Sequence, residues 1–209
     1  MKTFIAATAV LLLISSSVNA RFYNNRNCDI FPPAPLTNPY GPYDYTNPDH
    51  QIALPIVIGA HFTQTIQRLS PGIDHSADIA YTLRAIPNYH PALYAASQYQ
   101  QQKKLSNKKS YTAECFFKRA IYFSPKDATA RMLFAMHLQA TKRFELAEQY
   151  YESALTITPH AAELNYNYGL FMFDRGNLEK AKEAAKIAYR LGYPLPGLKR
   201  KLASVNGNN

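Results

Sequence analysis

A phrase of helical character returns in this chain after thirty-four residues: FFKRAIYFSPKDATARMLFA, from Phe116 to Ala135, is answered by YYESALTITPHAAELNYNYG, from Tyr150 to Gly169. Ala113, Ala147 and Ala181 keep the same period, as do Ala120, Ala154 and Ala188, with Phe117, Tyr151 and Ala185 in step between them. Pro91, Pro125 and Pro159 share it. Self-similarity at such a period marks an array of stacked units, each of which buries its apolar face only against its neighbours.

Within each unit the residue types have a mechanical reading. An alanine lets two helix backbones approach, and the aromatic beside it fills the gap between successive units. A proline ends the second helix of a unit, because its ring and missing N–H cannot continue the ladder. On these residues the chain resembles the tetratricopeptide repeat family, a helix-turn-helix unit of thirty-four residues. The family's small residue in the first helix matches Ala135 and Gly169, and its two alanines in the second helix match the two series above. Its intervening aromatic matches Phe117 and Tyr151, and its closing proline matches Pro125 and Pro159.

The resemblance implies an all-α, right-handed superhelix of about three and a half to four repeats. Three full units run from Tyr94 to Lys126, Ala128 to Ala161 and Ala162 to Leu195. Residues 57–93 read as a degenerate pair: Val57 to Leu69 carries Ile58, Phe62, Ile66 and Leu69 at helical spacing, and a second helix spans Ser76 to Ile86, ending before Pro91. Residues 196–209 read as a short capping helix, PGLKRKLAS, and a tail.

The first twenty residues have the composition of a secretory signal peptide. Lys2 precedes an apolar run from Phe4 to Ile14, and Val18-Asn19-Ala20 offers small residues for cleavage after Ala20. The expected location is therefore exported, periplasmic or secreted. Residues 21–56 form a Pro/Tyr-rich arm, in which IFPPAPLTNPYGPYDYTNPDH forbids regular helix and carries Tyr40, Tyr43 and Tyr45. Strap along the helices and free linker are both open. So are a disulfide between Cys28 and Cys115 and two separate thiols, since nothing in the sequence shows the two α-carbons to be near.

The formal charge is +9, and removal of the leader takes away Lys2 alone. Such a balance favours acidic partners or anionic surfaces without naming one. For an exported chain without a recognition motif, nucleic acid is not an expected partner, and no segment after the leader is apolar enough to span a membrane. Zinc-helix, nucleophile-elbow, phosphate-loop and Cys-x-x-Cys motifs are missing. His61, His75 and His90 lie fourteen and fifteen apart, which is no local ligand spacing. The expectation is a non-catalytic protein without cofactor or metal.

What the resemblance implies about binding is a concave face built from the first helices of the units. Carried over position by position, that face holds Gln98 and Gln102, then Met132, Met136 and Gln139, then Glu163, Tyr166, Asn167, Leu170 and Phe173. It suits an apolar peptide or helix better than a charged one, while the basic turns speed the approach of an acidic partner; a grip on a peptide's terminal carboxylate is disfavoured, because Gln98, Gln102 and Leu133 replace the cations of the family's carboxylate clamp. The implied function is protein–protein interaction, as an adaptor or assembly scaffold for cell-envelope proteins; a carbohydrate-binding scaffold is the alternative. ELNYNYGLFMFDRGNLEKA is also similar to a unit of type IV pilus biogenesis proteins, though the lipobox cysteine usual in those is missing.

Overall fold

The computed structural model describes residues 40–102 and 111–206; the expected leader, most of the arm and Cys28 lie outside them. A 3-10 turn, Pro48–His50, leads into α1 (Leu54–His61), α2 (Gln64–Gln67), α3 (Ser76–Ala85), α4 (His90–Gln101) and α5 (Ala113–Phe123). There follow α6 (Ala128–Ala140), α7 (Phe144–Ile157), α8 (Ala162–Asp174), α9 (Leu178–Arg190) and α10 (Gly197–Asn206). Helix is the only regular structure among the described residues, and the architecture is an all-α helical repeat. No helix among those residues is long and apolar enough to cross a membrane.

The period is physical. The second and third helix pairs, α6–α7 and α8–α9, begin thirty-four residues apart, helix for helix, and their internal turns are the same object. Gly176, at φ 78°, donates to Phe173 O and Asn177 donates to Met172 O. Lys142, at φ 62°, donates to Gln139 O and Arg143 donates to Leu138 O. This is the two-bond closure of a helix by a left-handed residue. Start signals are local too: Thr112, Asp127 and Asn177 each accept a hydrogen bond from the backbone N–H three residues on, capping α5, α6 and α9.

All six repeat alanines are sealed, with Ala113, Ala120, Ala147, Ala154, Ala181 and Ala188 at 0% exposure. Around them the rings repeat as well. Phe117 meets Phe134 at 5.1 Å between centroids and His137 at 5.6 Å; thirty-four residues later Tyr151 meets Tyr168 at 5.8 Å and Phe171 at 5.2 Å. The first helices of the pairs, α4, α6 and α8, contact one another in series and form one wall. Helix α10 joins that wall by packing on α8 and α9, and its buried Leu198 lies against Gly169, where a Cβ would stand only 2.5 Å from Leu198 Cδ2.

The N-terminal region differs from expectation in three places. The single helix anticipated from Val57 to Leu69 is two: Phe62, at φ −142°, breaks it and turns its ring inward to 1% exposure against Tyr89. Helix α1 also begins at Leu54, inside the stretch assigned to the arm, because Pro55 sits in the first turn, where its missing N–H has no intrahelical acceptor to serve. For the same reason Pro91 opens α4 rather than closing the preceding pair, so the first full unit starts at His90, four residues early.

From Tyr40 the arm is a strap. Tyr43 N donates to Ala85 O at 2.8 Å, and Gly41, at φ 92°, passes so close that a Cβ there would collide with the same carbonyl. Tyr45 stacks edge-on against Tyr89 and His90, each at 5.0 Å. Beneath it Asn88, fully buried, accepts from Tyr45 N at 2.9 Å and donates to Asp44 at 2.7 Å and Asp127 at 2.9 Å. Burial opposes ionisation of Asp44, but hydrogen bonds from Thr46, Asn88 and Ser124 outweigh it and hold its carboxyl below the ordinary value.

Candidate functional site

The wall formed by α4, α6 and α8 encloses a groove of about 340 Å³, within the range of ~300–1,000 Å³ usual for ligand sites. Helix α4 supplies Tyr94, Ser97, Gln98 and Gln101; α6 supplies Leu133, Met136 and Gln139; α8 supplies Asn167, Leu170 and Asp174, and Lys201 of α10 closes one end. The lining residues recur at intervals of three or four along each helix, with Ser97 and Gln98 side by side on α4, so each helix contributes one stripe.

Five of the residues assigned from the sequence come together here: Gln98, Met136, Gln139, Asn167 and Leu170. The others do not line it. Met132 is 3% exposed and its sulfur lies 3.7 Å from Asn167 Nδ2, so it supports the groove from within the core. Tyr166 is 7% exposed, covered by Tyr193 at 4.4 Å and by the start of α10. Phe173 lies under the Lys201 ammonium, 5.1 Å from the ring centroid. Gln102 is exposed at the end of α4, and Glu163 is exposed at the start of α8.

The groove offers hydrogen bonds without free charge. The Gln98 amide and the half-exposed Tyr94 hydroxyl make no hydrogen bond among the described residues. Gln139 uses only Oε1, accepting from Tyr151 at 3.3 Å, and Asn167 uses only Nδ2, donating to Glu163 O at 3.0 Å. Among the described residues two amide nitrogens, of Gln98 and Gln139, and three amide oxygens, of Gln98, Gln101 and Asn167, are therefore left for a ligand, around the apolar floor of Leu133, Met136 and Leu170. Lys201 and Asp174 neutralise each other at 2.7 Å.

From the groove lining a hydrogen-bonded chain runs inward: Gln101 Nε2, on an exposed side chain, donates to the buried Ser97 Oγ at 3.0 Å, and Ser97 Oγ meets His137 Nδ1 at 2.9 Å. His137 is 1% exposed and its Nε2 has no partner. Burial pushes its pKa down to about 4, with Glu114 opposing and Arg143 reinforcing the shift, so the imidazole is neutral at pH 7.

The three histidines singled out by sequence are apart. His61 meets Asp78 at 3.0 Å and stacks on Tyr81; buried His75 donates through Nε2 to Ser70 O; His90 meets Asp127 at 2.8 Å. No group of three or more potential ligands stands ready for a metal among the described residues. Cys115 is buried on α5 and disulfide-bonded, while Cys28 lies outside the described residues. Sequence reasoning missed Tyr94, one turn before Gln98 on the same stripe, and Lys201, whose place depends on how α10 docks.

No protein-family model matches this chain, and no curated protein matches it.

Proposed function

We propose that the chain is an exported tetratricopeptide-type array that works by binding, as an adaptor or assembly scaffold in the cell envelope. The observation that carries this reading is the uncharged groove with unused amide donors and acceptors above an apolar floor. Such a lining suits a short extended peptide segment: the Gln98, Gln139 and Asn167 amides pair with its backbone, and Met136 and Leu133 receive an apolar side chain. At about 340 Å³ the groove fits a few residues better than a whole helix. The leader-like residues 1–20 support export.

The test is photocrosslinking in intact cells from a probe replacing Met136, with a second probe replacing Gln149 on exposed α7 surface. Capture of one defined protein from position 136 alone is the expected result. Equal capture from both positions, or none from 136, overturns the reading. A second reading, carbohydrate binding, is favoured by one observation: the half-exposed Tyr94 ring beside four amides has the chemistry of a sugar platform. Glycan binding abolished by Tyr94→Ala would select it over the peptide.

A further inference from the structure

The far end of the array carries a second surface unlike the groove. Between Arg190 and Lys199 lie eight uncharged residues, LGYPLPGL, and from 184 to 209 the chain has five basic residues and no acidic one. Leu191 and Leu195 are 43% and 52% exposed, and Pro194 and Pro196 are exposed beside them. An exposed apolar loop is ordinarily interrupted by polar residues; this one is bracketed by cations instead.

The loop is held in shape. Gly192, at φ 79°, closes α9 by donating to Tyr189 O, and Tyr193 donates to Ala188 O, each at 3.0 Å. The Tyr189 hydroxyl then donates to Leu195 O at 3.0 Å and accepts from Lys199 N at 2.9 Å. These bonds fasten the loop and the start of α10 to the end of α9, so exposed Arg190 on one side and exposed Lys199 and Arg200 on the other flank the apolar tip, with Lys186 one turn earlier on α9.

The charges there are unspent. Lys180, Lys182 and Lys201 each have a carboxylate partner, whereas exposed Lys186, Arg190, Lys199 and Arg200 form no ion pair among the described residues. Lys199 and Arg200 also stand in the first turn of α10, which has no acidic residue. Cations at a helix N-terminus oppose its dipole and are relieved by an anion brought to the same place.

We propose that this end of the molecule is a docking surface for an anionic lipid bilayer, with Leu191 and Leu195 entering the headgroup region and Lys186, Arg190, Lys199 and Arg200 held at the level of the phosphates. Apolar side chains flanked by long cationic ones satisfy both layers of a membrane interface, because the cations reach outward while the tip is buried. An acidic protein would satisfy the cations but leave the leucines and prolines without a purpose. The array would thus be tethered at one end, with its groove free.

The chain contains no Trp, so one introduced there is a unique reporter. The full chain with Leu195→Trp and, separately, with Tyr94→Trp is titrated with phosphatidylcholine vesicles with and without phosphatidylglycerol. The expected result is a blue shift from Leu195→Trp on anionic vesicles only and no shift from Tyr94→Trp. Adding Lys199→Glu with Arg200→Glu weakens the apparent affinity about tenfold or more, and Leu191→Ser weakens it severalfold. All these positions are exposed, and an unchanged thermal melt confirms folding. No shift with anionic vesicles, an equal shift at both reporters, or indifference to the charge reversal overturns the proposal. Binding of polyglutamate instead of vesicles, lost on the same reversal, overturns it in favour of an acidic protein.

Discussion

His137 stands where Phe171 stands one unit later: each lies beside the repeat aromatic, His137 at 5.6 Å from Phe117 with 38° between ring planes, and Phe171 at 5.2 Å from Tyr151 with 37°. The array has therefore placed an ionisable ring in a position its own repeat fills with hydrocarbon. With a folded pKa of about 4 against 6.5 in the unfolded chain, the unfolded state binds the extra proton between those values. Stability then rises with pH across that window and falls as the solution is acidified through it, by about 3 kcal/mol in total. Urea denaturation from pH 7.5 to 4 should show that slope. In His137→Phe the slope should largely vanish and stability at pH 7 should stay within about 1 kcal/mol of the parent. An unaltered slope in the variant would mean that other groups dominate the acid response.

Asn88 is the knot of the N-terminal strap, joining Asp44 to Asp127 across the start of α6. Asn88→Ala removes two donors from carboxylates and the acceptor of Tyr45 N, and should cost about 3 kcal/mol. Chymotryptic cleavage after Tyr43 and Tyr45 should accelerate with it. Loss of stability without faster cleavage there would place the damage elsewhere.

Lys142 and Gly176 occupy equivalent turns, and only the second has the residue that a left-handed backbone prefers. Lys142→Gly should raise stability by about 0.5–1 kcal/mol, read as a higher melting temperature. A lower one would show that Lys142 contributes more through its side chain than its backbone costs.

Ala154, at 0% exposure, lies in the core shared by α6, α7 and α8. Ala154→Leu should cost about 1–3 kcal/mol by overpacking, whereas Leu155→Ala, one residue on and only partly buried, should cost less. Equal effects at the two positions would argue against close backbone approach as the reason for the alanine.

Residues whose surroundings lie within one unit were readable in advance. The helices of 128–190 and the sealed alanines follow from a period that repeats the same local contacts. Pro91 misled because a proline at a boundary is compatible both with ending one helix and with opening the next. Phe62 misled because its helix breaks to satisfy a contact with Tyr89, twenty-seven residues away.

The groove divides in the same manner. Gln98, Met136, Gln139, Asn167 and Leu170 line it because they fall on the helix stripes that an array turns to one side. Met132, Tyr166 and Phe173 were withdrawn from it by tertiary contacts: the first by the packing of α8 on α6, the others by α10 folding back.

The sequence by itself determined the helical period, the buried small residues and the charge of the C-terminal end, because these depend on residue type and spacing. Only the tertiary structure decided which polar atoms remain unpaired among the described residues, that the strap is tied through Asn88, and that the loop carrying exposed Leu191 and Leu195 is fastened between Arg190 and Lys199. Those properties arise from distances between residues remote in the chain, which no local pattern encodes.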